Sequence, residues 1–196
     1  LSGDGADEAL AGYRRQGCHH GEERVRSLLA QSLRGPVFGA LGALYPKADW
    51  APRPLRAKST LLSLARTGAE GYADAVGVTN HAARQSLYSD SQRAALGGYR
   101  GEDPMIALMQ AAPARSGLDA AQYADMKLWL PGDSLTKVDR TSMAVSLEAR
   151  EPLLDYRLIE FSASLPEAMR VRGGQGKWLM KRAMRGTLPD DILYRP

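Results

Sequence analysis

A chain of 196 residues that is 44% hydrophobic and 24% charged can bury one sizeable core, which excludes a disordered segment and makes one domain the simplest count. Lys and Arg number 26 against 22 Asp and Glu, a surplus too small to mark a nucleic-acid-binding surface. The single cysteine, Cys18, excludes an internal disulfide and fits a reducing, cytoplasmic compartment, and no run of eighteen apolar residues or basic secretory leader is legible.

In chain order, the first segment is Leu1-Ser2-Gly3-Asp4-Gly5-Ala6-Asp7-Glu8. Alternating glycines let a backbone turn sharply and approach a ligand, and three neighbouring carboxylates are costly unless a cation sits among them. A Mg²⁺-bearing phosphate compound meets both demands, with Asp4 and Asp7 as candidate metal contacts and Ser2, Gly3 and Gly5 facing the bound compound. The same residues also suit an ordinary turn leading into a helix. A strand ending at Leu1 is expected, since a buried strand feeding a Gly-rich loop and a helix is how open α/β sheets present phosphates.

Cys18, His19 and His20 follow on a helix, where consecutive side chains diverge too far to share a metal. Residues 35–101 are expected as short helical pieces broken at Pro36, Pro46, Pro52 and Pro54, with Trp50 and the leucines at 55, 61, 62 and 64 in the core. Asp103 with Pro104 opens a helix carrying Met105, Ile106 and Met109, which Pro113 closes. Asp119 is expected to cap the next helix, whose face of Tyr123, Met126 and Leu130 ends at Pro131, and Asp133 reads as a further cap. Asp155 opens a helix bearing Leu158, Ile159, Phe161 and Leu165, stopped by Pro166. Alternating strand patterns are nearly absent.

Glu148 and Arg150 lie two apart, so an extended strip would point both one way, either pairing them in a buried ion pair or holding substrate groups. Lys177 follows Gly173-Gly174-Gln175-Gly176 but is no Walker lysine, because Trp178 stands where Ser or Thr must bind Mg²⁺. A lysine at a helix start opposes the macrodipole and so asks for a reason.

The opening octapeptide, Ala11-Gly12-Tyr13, the run from Leu130 to Asp155 and the segment Arg172 to Lys177 stand in an order and spacing that resembles the synthetase domain of glutamine-hydrolysing asparagine synthetases and related amidotransferases. The resemblance is most specific from Leu130 to Asp155. It implies a predominantly α chain: the helical part of an α/β adenine-nucleotide α-hydrolase-like (PP-loop ATPase) synthetase domain, truncated at both ends, with at most a residual N-terminal strand. It also implies apolar surface left exposed where a parallel sheet would pack.

The activity it implies is ATP- and Mg²⁺-dependent. A carboxylate, aspartate or another acceptor, is activated as an acyl-adenylate and amidated by ammonia from a glutaminase domain of the parent chain. On this resemblance Lys177 reaches the phosphates, Asp4 assists adenylation, and Tyr13 pairs with Glu148 to move protons. A pyrophosphate signature Ser-Gly-Gly-x-Asp-Ser is expected upstream, so the isolated fragment is expected to be inactive. The stretch Trp50 to Val76 resembles relatives from bacterial surface-polysaccharide systems, which leaves the acceptor open. A non-catalytic helical docking module is the rival reading; the set Asp4, Asp7, Glu148 and Lys177 around glycines speaks against it.

Overall fold

The computed structural model describes residues 1–46, 50, 52 and 57–195. The chain divides into two compact units, Leu1–Gly17 with Gln122–Pro196, and Cys18–Ala121. Among the described residues it is helical throughout, with two isolated β-bridges, Arg172 to Gln175 and Arg185 to Leu188, and no strand. The strand expected at Leu1 is therefore not formed: residues 1–3 have no ladder, and the amide of Ser2 instead donates to the carbonyl of Arg150 at 2.8 Å. No described helix is long and apolar enough to cross a membrane.

The first unit starts with α1 (Ala6–Ala9) and the opening turn of α2 (Arg14–Arg26). It resumes at Gln122, near the end of α9 (Gly117–Ala124), and continues with a π-helical segment, Asp125–Leu135, that runs directly into α10 (Thr136–Met143). Pro131 does not end this helix as expected. A proline obstructs an α-helix mainly through the carbonyl four residues back, and the wider π winding moves that carbonyl away. The carbonyl of Pro131 accepts from the Thr136 hydroxyl at 2.7 Å. Asp133 is no cap; it sits inside the π segment and pairs with Lys137 at 2.6 Å.

A 3₁₀ turn, Pro152–Leu154, leads to α11 (Tyr156–Ser164), where Asp155 caps as expected by accepting from the Arg157 amide at 2.9 Å. The short helices α12 (Glu167–Arg170), α13 (Trp178–Ala183) and α14 (Asp190–Leu193) complete the unit. Its apolar centre is Ala9, Leu10 and Leu165, with Met126, Ile159, Leu179 and Met180 packed around them. α1 meets both the π segment and α11. Val145, Leu147, Tyr156 and Phe161 are exposed, the last because α11 turns Ser162 inward instead.

The second unit holds the rest of α2, then α3 (Gln31–Leu44), α4 (Lys58–Ala65), α5 (Gly68–Val76), α6 (His81–Leu87), α7 (Asp90–Leu96), α8 (Asp103–Ala111) and most of α9. α3 continues through Pro36, whose ring sits at its sixth residue; packing against α4 outweighs the one amide lost. Thr67 with Glu70 and Ser89 with Gln92 form capping boxes that start α5 and α7. Ser116, not Asp119, caps α9, its hydroxyl accepting from the Asp119 amide at 3.2 Å. Asp119 accepts from the Arg115 amide instead.

Leu64, Tyr72, Met105, Met109 and Leu118 are buried here. Trp50, expected in the core, is 87% exposed; it lies outside any helix, so no periodic face carries it inward. Leu62 is also at the surface, Leu61 is half-buried, and Leu55 with Pro54 lies outside the described residues.

Candidate active site

The acidic loop is fixed within the first unit by its neighbours in space. Ser2 donates its hydroxyl to the Asp4 carboxylate, and Gly5 enters α1 with a left-handed backbone, φ 90°. Gly3 has open space around it. One turn on, Asp7 Oδ1 meets Lys177 Nζ at 2.8 Å, across 170 residues of sequence.

Two glycines allow that meeting. A Cβ on Gly12 would fall 2.0 Å from Asp7 Oδ1 and 2.2 Å from Lys177 Cε, inside the ion pair itself. On Gly176 it would fall 2.1 Å from the carbonyl oxygen of Ala11. The loop before α13 thus lies flat against the turn after α1, and the Lys177 amide donates to the Leu10 carbonyl at 3.0 Å. Lys177 holds φ 54° with no side-chain cap on α13, so its ammonium is turned from the helix start toward Asp7. That supplies a reason for a cation at a position the macrodipole disfavours.

Behind the loop is a buried polar lattice. Glu8 is 2% exposed and accepts the Tyr13 hydroxyl at 2.7 Å. Burial, then the hydrogen bond and charge of Glu8, push the Tyr13 phenol up to about 12. Gln122 Nε2 donates to the carbonyls of Glu8 at 2.6 Å and Ala9 at 2.8 Å, while Arg170 donates to Gln122 Oε1 and the Ser162 hydroxyl to the Ala9 carbonyl. Asp125, wholly buried, accepts from Gln16 at 2.7 Å and pairs with Arg15 at 3.3 Å.

Tyr13 therefore pairs with Glu8 rather than Glu148. Tyr13 is only five positions after Glu8, and the turn after α1 folds one over the other. Glu148 and Arg150 do bond to each other, at 2.8 Å, yet both are about two-thirds exposed or more, so theirs is a surface pair and not a buried one. Gln122, Asp125 and Arg170 were not singled out from sequence, and Glu8 was read only as one of the three loop carboxylates. Spacing gives no sign of a polar residue chosen for the carbonyls of a segment over a hundred residues away.

Among the described residues no three His, Cys, Asp or Glu side chains gather as a metal cage. Asp4 and Asp7, the expected metal contacts, take the Ser2 hydroxyl and the Lys177 ammonium as partners. Cys18 is exposed and His19 buried, as divergent helix positions require.

The asparagine synthase family model matches residues 1–196, the whole chain. The chain belongs to the asparagine synthase family. Among the relatives of this family member, Bacillus subtilis asparagine synthetase [glutamine-hydrolyzing] 3 is 40% identical over 84 residues, 41% of this chain and 14% of that protein. The B. subtilis asparagine synthetase 1 is 35% identical over 80 residues, 41% of this chain and 13% of that protein. A Mycobacterium tuberculosis protein provisionally named as a glutamine-hydrolysing asparagine synthetase is 28% identical over 200 residues, covering 100% of this chain and 28% of that protein. The chain thus spans well under a third of these asparagine synthetases. No solved structure matches it.

Proposed function

We propose that this chain contributes the phosphate-handling and acceptor-facing parts of an ATP-dependent amidotransferase, which joins ammonia released from glutamine to a carboxylate, aspartate being the first candidate. The observation that carries the reading is the Lys177 to Asp7 contact at 2.8 Å, a mobile-stemmed cation held over an acidic, glycine-lined loop. Family membership supports the reaction class.

In this reaction the acceptor carboxylate attacks the α-phosphorus of ATP, and the bond to the β-phosphate oxygen breaks. Pyrophosphate leaves with its electron pair. Ammonia then attacks the acyl carbon and AMP departs. Bound Mg²⁺ would neutralise phosphate charge. Lys177 would follow the growing charge on the leaving pyrophosphate, its ammonium exchanging the Asp7 oxygen for a phosphate oxygen. Asp4 and Asp7 would hold the metal, Ser2 and the open backbone at Gly3 and Gly5 would contact the nucleotide, and the exposed Glu148 and Arg150 would face the acceptor.

The test is to assay both half-reactions in the longest native form of the protein. Lys177→Ala should slow aspartate-dependent pyrophosphate release about a hundred- to a thousandfold, the loss of roughly 2.7–4 kcal/mol typical of one such contact, while glutamine hydrolysis persists. Near-normal pyrophosphate release would mean that Lys177 only braces the loop.

A further inference from the structure

Arg15 is a surface-type residue spent on an interior task. Its guanidinium stacks 3.9 Å from the centroid of the Tyr13 ring and 4.6 Å from that of Trp129, and it pairs with buried Asp125 at 3.3 Å. Asp125 is fixed in turn by Gln16, whose Oε1 also accepts from the Tyr13 amide at 3.4 Å. From the π segment to the loop there is thus an unbroken chain of contacts: Asp125, Arg15, the Tyr13 ring, the Tyr13 hydroxyl, Glu8.

Glu8 is the residue after Asp7 in a helix of four residues, α1. Successive residues of a helix differ by about 100° about its axis, so a helix this short cannot fix its own rotation; Gln122 and Ser162 hold its last carbonyls, and the anchored Glu8 side chain adds the contact that sets the direction of the adjoining Asp7. We propose that Arg15 is a positioning residue which, by clamping Tyr13 onto Glu8, aims Asp7 at Lys177. This rests on the reading of the Asp7 and Lys177 pair as the phosphate site, and it deepens that reading by naming what holds the pair. Lysine at position 15 would keep the charge owed to Asp125. It would lose the flat face that fits between two rings.

The test is NMR of the side-chain ammonium of Lys177 in ¹⁵N-lysine-labelled protein, with the resonance assigned by its loss in Lys177→Ala. An ammonium held by a carboxylate stands apart from free lysines. In Arg15→Lys and in Tyr13→Phe, each shown folded by circular dichroism, the resonance should move toward the free-lysine position. The double variant should move no further than the larger single change, because both act through one chain.

An unmoved Lys177 resonance in folded Arg15→Lys would overturn the proposal. Titration of wild type with Mg²⁺ and inorganic pyrophosphate distinguishes the two readings. Failure of pyrophosphate to perturb Lys177 overturns the phosphate assignment alone, while the response to Arg15→Lys still decides whether Arg15 aims the pair.

Discussion

Gly12 and Gly176 set apart two ways in which a missing side chain can matter. Opposite Gly12 stand the movable ends of Asp7 and Lys177; opposite Gly176 stands the Ala11 backbone, which cannot swing aside. Gly12→Ala should therefore cost little stability, under about 1 kcal/mol, while displacing the ion pair and weakening pyrophosphate binding. Gly176→Ala should cost about 1–3 kcal/mol, as overpacking does. Urea unfolding of both variants beside pyrophosphate titration checks the contrast; equal stability losses would refute it.

Tyr13 gives a second residue-scale expectation. A phenol raised to about 12 binds its proton more tightly folded than unfolded, where the ordinary value is near 10. Its contribution to stability is thus intact below pH 10 and lost as pH rises toward 12. Ultraviolet titration of wild type against Tyr13→Phe should show one tyrosine ionising late, and its absence would remove the buried Glu8 bond.

Among the elements, α1 owes its place to other segments. Four residues cannot form a stable helix alone, and α1 has no side-chain cap; Gln122 and Ser162 hold its carbonyls instead, and Arg170 holds Gln122. Gln122→Leu keeps the volume but removes the donors from two buried carbonyls and the acceptor from Arg170. A loss of about 1–3 kcal/mol is expected in chemical denaturation, because the buried Glu8 carbonyl loses its donor while Ser162 still serves that of Ala9. A loss under 1 kcal/mol would mean water replaces the amide at no cost. By contrast α5 and α7 carry their own start signals, and their capping boxes are readable as Thr-x-x-Glu and Ser-x-x-Gln.

The larger scale is that of two units, each with its own polar interior. In the second, Arg26 pairs with Glu22 at 2.8 Å and Glu23 at 2.9 Å and donates to the Ser63 carbonyl at 2.9 Å, near His19, which is 3% exposed and stacked 5.0 Å from Tyr72. Burial lowers the His19 imidazole to about 4, with the nearby Glu23 charge opposing the shift and that of Arg26 adding to it. The folded chain resists a proton that the unfolded chain accepts near pH 6.5. His19's contribution is therefore present above pH 6.5 and lost as pH falls toward 4, at most about 3 kcal/mol. Urea midpoints at pH 7 and pH 4.5 should fall less in His19→Gln than in wild type; parallel falls would show that other groups govern the acid limb.

The sequence by itself determined some of the local starts. The helix opened by Asp155, the buried Met105 and Met109, and the helical content follow from caps and 3.6-residue spacing, which act within a few residues of chain. The family resemblance led to the expectation that the acidic glycine loop and Lys177 converge, and the structure brings Asp7 and Lys177 together. Only the tertiary structure decided the pairings. Tyr13 with Glu8, Asp125 with Arg15 and Gln122 with the α1 carbonyls are choices among equally polar candidates, settled by which groups the fold brings into contact. It also decided where spacing rules yield. Pro131 and Pro36 sit inside helices, because packing over a whole element outweighs the preference of one residue.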